Sequence, residues 1–261
     1  MKKFLPILFL SLAFASCKKD TPITPPDEVT VNEDAATFSE ISSIDIGDTG
    51  AAEITAYDPL TQRLFVVNNG TVNKIDVIDF KDPLNMKVIA SISMLPYGGA
   101  VNSVAVSDGK LAAAIESTDK QANGKVAVFK TSDYSEIKVI TVGALPDMVT
   151  FSPDGKYIMT ANEGEPNDSY TNDPAGTVSI INVADNYSVG TLDFSGFASQ
   201  QPALTLKGLR IFGIGKNFVK DIEPEYITIS SDSKQHGLRY RKTMLSLKSI
   251  LQAKQSPIYF R

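Results

Sequence analysis

The sequence predicts an all-β fold, a partial β-propeller of about three blades plus the first strand of a fourth, behind a signal peptide and a flexible tether. Three observations predict it. A block of apolar-alternating strand, small polar turn and second apolar strand recurs. It reads Ile54-Thr55-Ala56-Tyr57-Asp58, then Val104-Ala105-Val106-Ser107-Asp108-Gly109-Lys110, then Val149-Thr150-Phe151-Ser152-Pro153-Asp154-Gly155-Lys156. The steps from Tyr57 to Ser107 to Ser152 are 50 and 45 residues, the length of one four-stranded blade. Finally, these segments alternate in the period of a strand and show no helical period.

Strand signals begin near Phe38, with Ile41, Ile44 and Ile46 spaced through polar residues. In the first blade Arg63 to Val67 reads as a buried strand, Asn68-Asn69-Gly70 as its turn, and Lys74 to Asp79 as a strand with one wet face; Val88 to Ile92 closes the unit. The second blade continues with Lys110 to Ile115, Gly124 to Phe129 and Ile137 to Val142. The third has Tyr157 to Ala161, Gly176 to Val183 and Ser188 to Leu192. In the turn before Tyr157, Pro153 fixes φ and Gly155 takes a conformation that other residues avoid. A fourth copy, Ile227 to Lys234, is followed by no recognisable second strand. Between Ser195 and Ile222 the period breaks into an insertion with enough apolar residues to pack.

The two ends have their own character. Lys2-Lys3 precede an apolar run from Phe4 to Ala15 that is too short to span a bilayer, and Ala15-Ser16 lead into Cys17, the sole cysteine. Residues 1–16 resemble a bacterial lipoprotein signal peptide with Cys17 as the lipidated residue, although Phe14 stands where Leu is usual. Ordinary secretion with a spare thiol is the alternative. Residues 17–37, rich in Pro, Thr, Asp and Glu, form the tether. The propeller is expected over 38–234. Residues 235–261 carry six basic side chains and no Asp or Glu, in a chain of formal net charge −5. A basic amphipathic helix is one reading of this tail. The reading favoured here is a frameshift product: back-translation from Lys234 onward with permissive codons, moved one nucleotide in frame, can give a strand–turn–strand pattern. The chain is then a truncated, non-functional copy.

Three further segments are distinctive: Thr160 to Asp168 (Thr-Ala-Asn-Glu-Gly-Glu-Pro-Asn-Asp), Gly208-Leu209-Arg210-Ile211-Phe212-Gly213, and Asp221-Ile222-Glu223-Pro224-Glu225-Tyr226-Ile227. In that order and spacing they resemble the choice-of-anchor I family of surface proteins, related to mesenchyme-specific cell-surface glycoproteins. The resemblance spans roughly Phe38 to Lys234. It implies a propeller of the YVTN type displayed on a surface. Some members carry an alkaline-phosphatase label.

Candidate chemistry is sparse. Glu53, Asn102, Asp147 and Glu225 recur just before the first strand of each blade, positions that can gather near the channel mouth of a propeller. Glu163, Glu165, Asp168, Asp173 and Glu223 lie on flanking loops and, with Glu225, form the candidate ligand or metal set. Oxygen-only donors suit Ca²⁺ or Mg²⁺; the alternative is an acidic surface that keeps the protein soluble. No EF-hand spacing, Walker motif or dinucleotide fingerprint occurs. The sole histidine, His236, lies in the basic tail, and Ser42, Ser43 and Ser103 sit in strand or turn contexts with no His partner, which argues against a serine triad. The glycines of 208–215 have no following helix to receive a phosphate, and Arg210 is expected to cap loop carbonyls or to bind an anion. The acidic body argues against nucleic acid. Two functions are expected: a membrane-anchored surface module in the bacterial cell envelope that binds an extracellular ligand, protein or glycan, or a metal-dependent, alkaline-phosphatase-like phosphoester hydrolase.

Overall fold

A computed structural model describes Ala36, residues 39–47, Thr49 and residues 51–214, 217–240, 246–250 and 258–260. The chain divides into two compact units, Met1–Glu40 and Ile41–Arg261, and every described strand belongs to the second. The expected signal peptide, Cys17 and nearly all of the expected tether fall outside the described residues.

Among the described residues, sixteen strands form four antiparallel sheets, each a meander of four. The first sheet holds β1 (Ala51–Asp58), β2 (Arg63–Asn68), β3 (Lys74–Asp79) and β4 (Lys87–Ser93). The second holds β5 (Val101–Ser107), β6 (Lys110–Ile115), β7 (Asn123–Lys130) and β8 (Glu136–Ala144). The third holds β9 (Pro146–Phe151), β10 (Tyr157–Asn162), β11 (Thr177–Asn182) and β12 (Ser188–Leu192). The fourth holds β13 (Pro224–Ile229), β14 (Gln235–Tyr240), β15 (Ser246–Ile250) and β16 (Ile258–Phe260). The first strands touch in series, β1 to β5, β5 to β9 and β9 to β13, so each sheet presents its first strand to the centre and its fourth to the rim. The expected blade architecture stands.

Alternation decides which sheet each side chain meets. Along β6, Leu111, Ala113 and Ile115 face the first sheet and pack on Phe65, Val67, Ile75 and Val77. Their neighbours Ala112 and Ala114 face the third sheet and pack, with Val126 and Val128, on Val149, Phe151, Ile158 and Ile181. The next face of the third sheet, Met159, Ala161 and Val178, meets Ile227 and Leu238 of the fourth. The second and third sheets are therefore buried on both faces, which explains why β6 reads as a continuous apolar run.

Short turns reinforce the stack. Gly109 and Gly155 adopt φ of +70° and +68°, as the Asp-Gly turns require. Arg63 Nη1 donates to the Thr131 and Ser132 carbonyls, both at 2.9 Å, and its guanidinium lies 5.2 Å from the Tyr134 ring centroid. Asp154 N donates to Ser233 Oγ across the next interface at 3.1 Å. The Ser152 hydroxyl, 2.7 Å from Asp154 Oδ1, and Lys156 beside it lower that carboxyl to about 2.

Three expectations are corrected. Residues 39–47 form no strand; Ser42, Ile44 and Ile46 are half-buried in an extended run without ladder bonds. The fourth unit has its second strand and two more. In β14, His236 pairs with Ile229 and Leu238 with Ile227, and both side chains are buried, so the alternation needed for pairing persists beneath the change in charge. A short helix, α2 (Phe218–Asp221), follows the glycine-rich segment; with four residues it presents less than a full set of aligned amides. The insertion also contains a 3₁₀ turn at Ser195–Gln200 and α1 (Gln201–Leu206), and it packs through Leu204, Leu209, Phe218 and Ile222. No helix among the described residues is long and apolar enough to cross a membrane.

Leu111→Ala removes a fully buried side chain between the first two sheets and is expected to cost about 2–5 kcal/mol in urea unfolding. Val88→Ala, on an exposed rim strand, should stay within about 0.5 kcal/mol.

Candidate functional site

Meander connectivity sorts the loops by end. The links between sheets and the loops joining second to third strands emerge at one end; the first-to-second and third-to-fourth turns emerge at the other. At the opposite end the described connections are no longer than the seven residues between β3 and β4, which hold a 3₁₀ turn at Pro83–Asn85. The longer segments, 163–176 and 193–223, share the loop end with all six candidate carboxylates: Glu163, Glu165, Asp168, Asp173, Glu223 and Glu225.

At that end every central strand breaks register. The break lies between Ala51 and Thr55 in β1, between Val101 and Ser103 in β5, between Pro146 and Met148 in β9 and between Pro224 and Tyr226 in β13. The residues lifted out of the ladder are Asn102, Asp147 and Glu225, with Glu53 inside the longer break of β1. These are the four positions that recur in the sequence. A β-bulge takes a side chain out of the two-face alternation and re-aims it, a device common at binding sites. Asn102 Nδ2 also donates to Pro146 O at 3.2 Å, joining one bulge to the entry of the next sheet.

The loop after β10 is fastened at its base and closed at its tip. Glu163 N donates to Leu145 O at 2.9 Å and Gly164 N to Ala144 O at 3.2 Å, tying it to the link before β9. Gln121 Nε2 donates to Glu165 O at 3.2 Å. At the tip, Asn167 Oδ1 accepts from Thr171 N at 2.9 Å and Asn172 N at 3.1 Å, with Asp168 exposed beside it. Glu163 and Glu223 are buried, 3% and 1% exposed. Their segments meet at Gly176, where a Cβ would fall 2.1 Å from Ile222 O and 2.9 Å from Glu163 O, so only glycine fits. Glu165, Asp173 and Glu225 are half-buried. Among the described residues, no three His, Cys, Asp or Glu side chains converge as a metal-ligand set. The shared feature of the six is their end of the fold, not one coordination centre. Arg210 is exposed.

A cleft of about 310 Å³ opens between β8 and this loop, lined by Asn123, Thr141, Gly143, Pro174, Ala175 and Thr177 among others. A polar cluster lies at its edge. Asn162 Nδ2 donates to Thr177 Oγ1 at 3.1 Å and Ser179 Oγ at 3.0 Å, and its Oδ1 accepts from Thr160 Oγ1 at 2.8 Å. The same strand positions in the first sheet hold Asn68 and Asp76, beside a cleft of about 300 Å³ lined by Ile46, Gly47, Asn68, Thr71, Val72 and Lys74. Asn68 Nδ2 donates to Asp76 Oδ2 at 2.7 Å and Ile46 O at 3.0 Å, and Lys74 Nζ to Asp76 Oδ1 at 2.9 Å. Burial works to raise the Asp76 pKa, but the hydrogen bonds from Ser91, Lys74 and Asn68 outweigh it and hold the carboxyl below its ordinary range. In the second sheet the corresponding residues, Ala113, Ile115 and Ala127, are apolar and belong to the core. The signal for these clusters is thus an Asn closing the second strand, legible only once the strands are aligned in space.

A model of the choice-of-anchor I domain matches residues 53–236. No curated protein matches the sequence. Among solved structures, a chain of Kuenenia stuttgartiensis hydrazine synthase is similar in fold, with a TM-score of 0.53 and 13% identity over 80% of this chain. This chain spans 53% of that one.

Because the folded-state pKa of Asp76 is depressed, its stabilisation is present above the unfolded value of 3.8 and is lost as pH falls through the lower folded value. Asp76→Asn should therefore lower the urea midpoint at pH 6, and the gap from the parent should narrow as pH drops below about 4.

Proposed function

We propose, from the premise that this chain belongs to the choice-of-anchor I domain family, that it is a lipid-anchored binding module which engages an extracellular ligand at its loop end. The family makes it a surface-associated β-propeller module. The observation that carries the binding reading is the bulge repeated at the start of every central strand, which takes Asn102, Asp147 and Glu225, and Glu53 within its longer break, out of the ladders. A repeat preserves its pairing wherever pairing is the only demand. Four breaks at one register serve a surface made jointly by neighbouring sheets.

Anchoring follows from the sequence at Cys17, where an apolar leader ends in small residues before the sole cysteine. The acyl chains would hold the chain in the bacterial cell envelope, with the Pro-rich segment as spacer. The ligand is a glycan or protein of the cell exterior, met by amide and carboxylate groups at the bulges and by the polar clefts beside them. Ca²⁺ or Mg²⁺ could join such a contact by bridging ligand hydroxyls to these carboxylates.

Two measurements test the reading. Cys17→Ala should move the chain from the membrane fraction to the soluble fraction of expressing cells; unchanged retention would reject the anchor. On an immobilised glycan array, Asp147→Ala combined with Glu225→Ala should weaken binding by about tenfold or more, while Lys110→Ala at the opposite end leaves it intact. Equal losses from both ends would reject the loop end as the binding face.

A further inference from the structure

The insertion between β12 and β13 divides its apolar residues in two. Leu204, Leu209, Phe218 and Ile222 are buried and join the core between the third and fourth sheets. Leu206, Phe212 and Ile214 stay outside it and are 90%, 63% and 75% exposed. Such exposure of three large side chains in one short segment is unusual when that same segment has a core to enter.

The backbone behind them is fixed. Asp221, buried beneath the loop, accepts hydrogen bonds from Phe212 N and from Gly213 N, the latter at 2.6 Å. A Cβ on Gly213 would fall 2.5 Å from Asp221 Oδ1, so the carboxylate grips a stretch of chain that must be bare of side chain at that point. Phe212 and Ile214 flank this grip on either side. Their exposure is built by the clamp rather than left over from poor packing.

Charge gives the occupant. Across residues 195–222 the only acidic residue is Asp221, and it is buried and engaged with the backbone. Lys207, Arg210 and Lys220, in the same segment, are exposed. In a chain of formal net charge −5, the exposed charged side chains described within residues 195–222 are all cationic and stand close in sequence to its protruding hydrocarbon. That combination is the chemistry of contact with an anionic bilayer: apolar side chains enter the boundary between headgroups and acyl chains, and Lys and Arg meet lipid phosphates. A bilayer also accepts separate protrusions with no matching groove.

We infer that the insertion is a membrane-surface contact in which Leu206, Phe212 and Ile214 insert among the headgroups of an anionic bilayer while Lys207, Arg210 and Lys220 pair with its phosphates. This contact needs no acylation at Cys17.

The test is sedimentation of the full chain carrying Cys17→Ala with vesicles of phosphatidylcholine and phosphatidylglycerol, beside vesicles of phosphatidylcholine alone. The expected result is preferential binding to the anionic vesicles. Phe212→Ser with Ile214→Ser should weaken it by about tenfold or more, and Lys207→Glu with Arg210→Glu should abolish the preference for anionic lipid. Any contribution from the apolar leader is common to all variants and cancels in the comparison. Because the substituted side chains are exposed, thermal unfolding midpoints should match the parent, which separates lost contact from lost fold. No binding by the parent, no preference for anionic vesicles, or equal binding by the parent and the Phe212/Ile214 variant would each overturn the inference.

Discussion

Face-to-face packing of neighbouring sheets is the constraint on which the rest depends. A four-stranded meander has two faces, and in the second and third sheets both are buried. Each strand there must supply apolar side chains in both directions, with volumes matched to two different neighbours. Along β6 this yields larger residues toward the first sheet, Leu111 and Ile115, and alanines toward the third, where Val126, Phe151 and Ile158 fill the space. A one-residue slip would exchange the two sets and leave both interfaces misfilled, so the register of the central blades is strongly specified.

With the core settled by strands, the ends are released for other purposes, and they differ. One end carries the shorter of the described connections, some of which bond to the next sheet's turn, as Arg63 does to Thr131 and Asp154 to Ser233. The other carries the links between sheets, where the chain must change blades and has room to be lengthened. The bulges, the two clefts and the long insertion all occur there. Polar groups follow the same division: Asn68 and Asn162 close their strands at the loop end, where a fully apolar position such as Ile115 is replaced by a hydrogen-bonded cluster. Buried polar groups are stable in such places only when every donor finds an acceptor.

Much of the fold was legible in the sequence, because alternation and Asp-Gly turns are local signals. The strands from Arg63 to Leu192 occur where the pattern put them, and Gly155 takes the positive φ expected of it. The fourth unit was misjudged because its tail was read by charge, whereas strand pairing follows the alternation that His236 and Leu238 maintain. Ile44 and Ile46, two residues apart, share a face as in a strand, yet their segment lacks a paired edge, which no local pattern reveals. For the site, the recurrence of Glu53, Asn102, Asp147 and Glu225 was visible, but its cause was not: a bulge is a relation between two strands. The loop carboxylates looked like one cluster in sequence and divide in space into buried Glu163 and Glu223 and more open neighbours.

The three apolar interfaces lie in series, each shared by two adjacent sheets only. Cohesion in such a stack is a sum over nearest neighbours, as in a linear array of repeats. Opening should begin at the flanks and travel inward, so backbone amides of β6 and β10 should be the last to exchange with solvent deuterium. Mechanical pulling on the termini would then peel sheets away one after another, and a surface protein built this way could yield by steps under shear while its middle blades stay folded.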